Sequence, residues 1–320
     1  MRFFGIKILH DPGFYFTRFV GIAFLCYSFF LTSYAEPLGR LRVVTTIFPA
    51  YAVASAVAGD QAIVENLLPA GVGPHDYQLT AGDLRTIQKA QVIVQNGIGL
   101  EHWLERAFKS NPTLLTVNLS DGLHDSLIRD PIHAADHHSG DETKHHEEGN
   151  PHLWLDPKLM IRSTTNVLRA FQKADPTHAT VYASNATVFV QSLQKLDQEL
   201  SSSLAPLTNR GFVTLHDAFA YFARAYQLKV VGVLETTPDV SPPPRYLGEL
   251  MRRMRQEKVS VIFAEPNSPK RLAERIAADL KIRVALLDTL ESGALKPGEY
   301  EAAMRRNATV LIRELGAATP

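Results

Sequence analysis

The chain has 320 residues, with 33 basic and 33 acidic side chains and a single cysteine. This balance excludes the strong positive field that would draw nucleic acid or an anionic membrane. The cysteine, Cys26, lies in an N-terminal apolar run, so the rest of the chain has neither a disulfide nor a thiolate metal site.

The first segment reads as an export signal. Arg2, Lys7 and Arg18 precede the apolar FVGIAFLCYSFFLTSYA (19–35), which ends in Ser33-Tyr34-Ala35. Small residues at its last and third-last positions predict cleavage after Ala35 and release into the periplasm; an uncleaved anchor is the alternative. Phe24-Leu25 before Cys26 lack the small residues that a lipid attachment site requires. Removing 35 residues from 320 leaves 285, enough for two lobes of ordinary size.

Short β-branched runs then alternate with helical patterns. Strands are predicted at 41–48, 62–69, 92–97 and 114–119, with a helix over AYAVASAVAGD ended by Gly59. A second helix spans 80–91, with Thr80 as N-cap and Asp83 three residues later, and LEHWLERAFK reads as a third. Residues 133–148 are rich in histidine and acid and almost free of apolar side chains. From Pro157 to about Ala205 no strand signal occurs. Within that stretch Val181, Asn185, Phe189, Leu193, Leu196, Leu200 and Leu204 recur at helical spacing, and Pro176 suits a first turn. The pattern predicts a connecting helix over 176–205 of about 28 residues, ~42 Å long. Alternation resumes with strands at 211–217, 229–235, 259–266 and 283–290, and helices at 268–280 and near 299–315. The whole predicts an α/β fold of two lobes with mainly parallel sheets, 36–175 and 206–320, joined by the long helix. No glycine-rich phosphate loop is present.

Ligands of open α/β sheets bind outside the carboxyl ends of the strands. His75, His216 and Asp288 fall at such ends, and His152 lies in NPHLWLDP just before the connecting region. Three imidazoles and a carboxylate suit tetrahedral Zn(II). Calcium and magnesium want mostly oxygen, whereas copper, nickel and iron also accept imidazole. Each residue has a plainer reading alone: a turn for His75 and His152, a helix cap for His216 and Asp288. Glu235 and Glu265 also end strands and read first as ion-pair or lobe-closing residues. His133, His137, His138, His145 and His146 form a tract that suggests weak metal binding without a geometry.

The segments PHDY (74–77), NGIGLEHWLERA (96–107), NPHLWLDP (150–157), TLHDAFAYFARAYQL (214–228), FAEPNSPKRLAERIA (263–277) and LLDTL (286–290) together resemble the cluster A-I metal-binding proteins of ABC importers. The likeness is to the periplasmic high-affinity zinc-uptake (ZnuA-like) type, and it runs along nearly the whole chain after the leader. It implies a metal in the interlobe cleft on His75, His152 and His216. It gives Asp288 as the fourth ligand, a place that water or another carboxylate can take. It also implies a partner permease at the inner membrane, a small periplasmic zinc chaperone, a monomeric protein and no catalysis. Manganese members usually carry Glu where this chain has His216. Gly73 stands where many members place an acid before Pro-His. The competing readings are a manganese or iron binder of the same fold, a zinc hydrolase, for which neither HExxH nor a general base is evident, and an adhesin on this scaffold.

Overall fold

The computed structural model describes residues 39–75, 77–108, 111–129, 149–235 and 242–316. The predicted leader and the histidine tract, with His133, His137, His138, His145 and His146, lie outside the described residues.

In the first lobe, β1 (Leu41–Thr45), β2 (Ala62–Asn66), β3 (Val92–Gln95) and β4 (Leu115–Asn118) form a parallel sheet in the order β2-β1-β3-β4. Val92, Ile93 and Val94 are all buried, as befits a parallel strand covered on both faces. Three helices flank this sheet: α1 (Phe48–Ala58), α2 (Ala81–Lys89) and the short α3 (Glu105–Phe108). Thr80 and Asp83 make the reciprocal capping box that the sequence predicts. LEHWLERAFK is less helical than predicted. It holds a 3-10 turn at His102–Leu104 and then α3, because Gly97, Ile98 and Gly99 take left-handed backbone just before it.

The second lobe repeats the topology. Strands β5 (Gly211–Thr214), β6 (Lys229–Val233), β7 (Val261–Ala264) and β8 (Arg283–Leu286) run parallel in the order β6-β5-β7-β8. Helices α6 (Ala220–Ala225), α7 (Pro244–Gln256), α8 (Arg271–Leu280) and α9 (Glu299–Gly316) complete it. Each sheet reverses strand order at its centre, which opens a crevice at the carboxyl ends.

Between the lobes, α4 (Pro157–Ala174) is capped by Asp156 and followed by a 3-10 turn at Pro176–His178. Helix α5 (Ala179–Leu204) then runs for 26 residues, ~39 Å. It packs on α4, on α1 of the first lobe and on α9 of the second. Its buried stripe is Tyr182, Ala186, Phe189, Leu193, Leu196, Leu200 and Leu204. The predicted stripe is thus shifted by one residue at its start. Tyr182 turns inward, stacking edge-on against Phe171 and donating to Asp175, and Val181 is left 40% exposed. A single continuous apolar core extends from β1 through α5 to Phe212, Phe263 and α9, with smaller cores on the outer side of each lobe.

Candidate metal centre

Every predicted strand overruns its ladder by one to four residues at the carboxyl end. The residues beyond the ladder turn into the cleft, and they carry the chemistry.

His75 follows β2. The Pro74 carbonyl accepts the indole N–H of Trp103 at 3.0 Å, and Trp103 stands edge-on to Tyr77. Tyr77 donates in turn to Asp83 of the α2 cap at 2.9 Å. His152 precedes a 3-10 turn, Leu153–Leu155, and is buried. Its segment is fastened to both lobes. The Asn96 amide donates to the Pro151 carbonyl at 2.9 Å, and the Trp154 indole donates to the Thr289 carbonyl at 2.8 Å. His216 lies two residues past β5, and its Nδ1 meets Glu265 Oε1 at 2.5 Å. Glu291 lies five residues past β8, and its carbonyl accepts the backbone N–H of Phe48 from the first lobe at 3.3 Å.

These four side chains converge. Glu291 Oε1 is 3.5, 3.4 and 3.6 Å from Nε2 of His75, His152 and His216. The Nε2 atoms of His152 and His216 are 3.1 Å apart, and one donor atom from each of the four residues lies within 4.8 Å of the others. A tetrahedral ion with bonds of ~2.0–2.1 Å has ligand-to-ligand edges of ~3.3 Å. The observed separations of 3.1–3.6 Å bracket that value. Asn150 and Glu265 occupy the two Nδ1 atoms, so with both rings neutral the facing Nε2 atoms of His152 and His216 would present lone pairs to each other. Such an approach needs a shared positive charge. His75 Nε2 and Glu291 Oε1 are buried and have no hydrogen-bond partner among the described residues, which also fits donors aimed at a cation.

The charges follow from this packing. At His216 burial opposes a charged imidazole, but the hydrogen bond to Glu265 and the negative charge of the nearby Glu291 outweigh it and push the pKa up to about 10. At His152 burial dominates and, with the neighbouring His216 and His75, pulls the pKa down to about 3. Burial alone would raise Glu291, yet its three imidazole partners hold it well below the usual carboxylate range. One proton therefore resides on His216, which has two carboxylates beside it, and not on His152.

Residues 43–314 match the family described as ZnuA, the periplasmic component A of a zinc-uptake complex. The chain belongs to this family. The zinc-binding protein AdcA of Streptococcus pyogenes serotype M6 is 29% identical over 287 residues, covering 85% of this chain and 56% of AdcA, so the chain spans about half the length of that relative. The high-affinity zinc uptake protein ZnuA of Bacillus subtilis is 30% identical over 254 residues, 79% of each chain. Among solved structures, a Zn(II)-bound AdcAII variant of Streptococcus pneumoniae superposes with a TM-score of 0.75 at 27% identity, covering 87% of this chain and all of that one.

Of the four ligands predicted in this ZnuA-family chain, the structure brings His75, His152 and His216 together and leaves Asp288 out of the group. The carboxylate of Asp288 accepts the backbone N–H of Leu290 at 2.9 Å, and its own backbone is held from both sides by the Asn307 side chain. It shapes a turn in which Leu290 takes a left-handed φ of 57°, and that turn delivers Glu291 three residues later. Glu291 carries no local signal that marks it as a ligand: it lies in ESG, just past the predicted end of the strand at residue 290. Glu265 proves to be the partner of His216, and Ser268 donates to its other oxygen at 3.1 Å. A cleft of about 380 Å³ opens beside the group, lined by further acids including Glu235 and Asp288. A Cβ added at Gly73 would stand 3.9 Å from Glu291 Oε2, so an acidic residue there would bring a second carboxylate toward the cluster.

Proposed function

We propose that this protein is the solute-binding component of an ABC importer: it captures Zn(II) in the periplasm on His75, His152, His216 and Glu291 and delivers it to an inner-membrane permease. The observation that supports this most is the convergence of three imidazole Nε2 atoms on one carboxylate oxygen at near-tetrahedral spacing. Three nitrogens and one oxygen favour zinc over manganese, magnesium or calcium. Membership of a solute-binding family and the names of the zinc-binding relatives agree.

Four protein donors also argue against a hydrolase. Catalytic zinc keeps an open position for water, and in this reading Glu291 would fill it. Export with cleavage after Ala35, a monomeric state and a handover from a small periplasmic zinc chaperone belong to the same reading. So does a role for the five histidines of 133–148 as weak auxiliary ligands that raise the local zinc concentration.

The test is titration of the metal-free mature protein with zinc, manganese and cobalt, for wild type and His216→Ala. One tight zinc site that His216→Ala abolishes is the expected result. Tighter binding of manganese than zinc would overturn the assignment.

A further inference from the structure

Behind His152 stands a residue whose every polar atom is committed. Asn150 is buried, and its Oδ1 accepts both the backbone N–H of His152 at 3.0 Å and, on the ring side, Nδ1 at 2.9 Å. Its Nδ2 donates to the carbonyl of Asp217 at 2.6 Å and to Asp217 Oδ2 at 2.9 Å. Its backbone is equally fixed. The carbonyl accepts from the Tyr221 hydroxyl at 2.7 Å, and the N–H donates to the Ile128 carbonyl at 2.8 Å.

The amide can face only one way. A backbone N–H can only donate and a backbone carbonyl can only accept, so the oxygen must point to His152 and the nitrogen to Asp217. A carbonyl oxygen beside Nδ1 requires a proton on Nδ1. That leaves the Nε2 lone pair directed at Glu291 and His216. A flipped amide would oppose like groups at the three contacts with the His152 N–H, the Asp217 carbonyl and the Asp217 carboxylate.

Asp217 adjoins His216 on the second lobe, so the same amide joins the two ligand turns across the cleft. We propose that Asn150 is the positioning residue that fixes the tautomer of His152, and that Asp217, by orienting this amide, couples His152 to the turn carrying His216. The two buried ligands are thus backed differently: a carboxylate, Glu265, behind His216, and a neutral amide behind His152. The amide sets the lone pair without placing another charge in the pocket. Partners of this kind behind a ligating histidine typically change metal affinity 10- to 100-fold when removed. The inference deepens the zinc-binding reading and rests on it for its affinity predictions.

The experiment has two parts. Long-range ¹H–¹⁵N spectra of the histidines in metal-free wild-type protein, with the His152 signals assigned by their loss in His152→Gln, should show Nδ1 protonated and Nε2 bare. This part involves no zinc, so it stands apart from any failure of the zinc assignment, which would appear as no tight zinc binding by wild type. Zinc titration of Asn150→Ala should show affinity reduced ~10- to 100-fold, with the tautomer preference lost. Asp217→Ala should weaken zinc in the same direction but less, and the double variant should be no worse than Asn150→Ala alone. A wild-type spectrum with Nε2 protonated overturns the proposal. So does retention of zinc affinity within twofold in a folded Asn150→Ala or Asp217→Ala protein. If Asn150→Ala fails to fold, the wild-type spectrum and Asp217→Ala decide.

Discussion

Zinc affinity should climb with pH well beyond the range in which ordinary histidines stop mattering. In the metal-free protein His216 keeps its proton until about pH 10, because Glu265 and Glu291 outweigh the cost of burying it. His152, down at about 3, and Glu291, held ionised, add no proton over the neutral range. Zinc takes only the bare nitrogen, so loading must expel the His216 proton. The metal-free state binds one proton more than the loaded state, and affinity therefore rises with pH. One proton corresponds to a tenfold change per pH unit, or ~1.36 kcal/mol. From pH 6.5 to 8.5 the dissociation constant should fall ~100-fold, about 2.7 kcal/mol. An imidazole titrating near ~6.5 would give a curve that levels off above about pH 7.5. The assay is competition with a chelator of known pH dependence, together with calorimetry in buffers of different ionisation enthalpy to count the protons released. Glu265→Gln removes one of the two raising carboxylates and should bring the levelling-off to lower pH. A dissociation constant that is flat between pH 7.5 and 8.5 in wild type, with no proton released, would refute the reasoning.

Three other outcomes follow from the geometry. Glu291→Gln should weaken zinc far more than Asp288→Asn, since only Glu291 is in contact with the three Nε2 atoms; the two variants titrated side by side settle it, and equal losses would restore Asp288 as a ligand. Solution scattering should give the same radius of gyration, ~19 Å for 285 residues by the usual scaling, with and without zinc; a clear contraction on loading would contradict the shared core. Deletion of residues 133–148 should leave one tight zinc site and remove weaker ones in equilibrium dialysis, and loss of the tight site would mean that the tract supplies a principal ligand.

Much of this is written locally in the chain. The short β-branched runs identify the strands, Thr80 and Asp83 announce their helix, and the stripe from Phe189 to Leu204 locates the buried face of α5. These signals depend on neighbours a few residues apart, which is what periodicity and capping report. The ends of strands are less legible, because apolar residues such as Ile47, Leu67, Leu215 and Leu287 continue after the ladder stops. That is why His216, Glu265 and Asp288 could be placed near the cleft but not given partners. Choosing between Asp288 and Glu291 was beyond local reading. It depends on Asn307, nineteen residues away, gripping the Asp288 backbone, and on Phe48, from the other lobe, holding the Glu291 carbonyl.

The same long-range contacts bear on how such a site can release its ion. Trp154 donates to Thr289, Tyr300 to the Trp154 carbonyl at 2.6 Å, Phe48 to Glu291 and Asn150 to Asp217. All four bonds tie the first lobe or the His152 segment to the second lobe within a few residues of a ligand. Opening the cleft as a hinge would break them together and part the continuous core along α5, exposing Trp154, Tyr300 and Phe48, each of which is fully buried. Burying a side chain of that size is worth ~1.5–3 kcal/mol, and each hydrogen bond exchanged for water costs a net ~0.5–1.5 kcal/mol. Several of each make a wide opening expensive. His75 differs from the other three ligands: its ring has the greatest side-chain exposure, 28%, and it hangs on the long β2–α2 connection by the Trp103, Tyr77 and Asp83 contacts. The least costly route for zinc in and out is movement of that loop, with His152, His216 and Glu291 remaining as a fixed half of the cage.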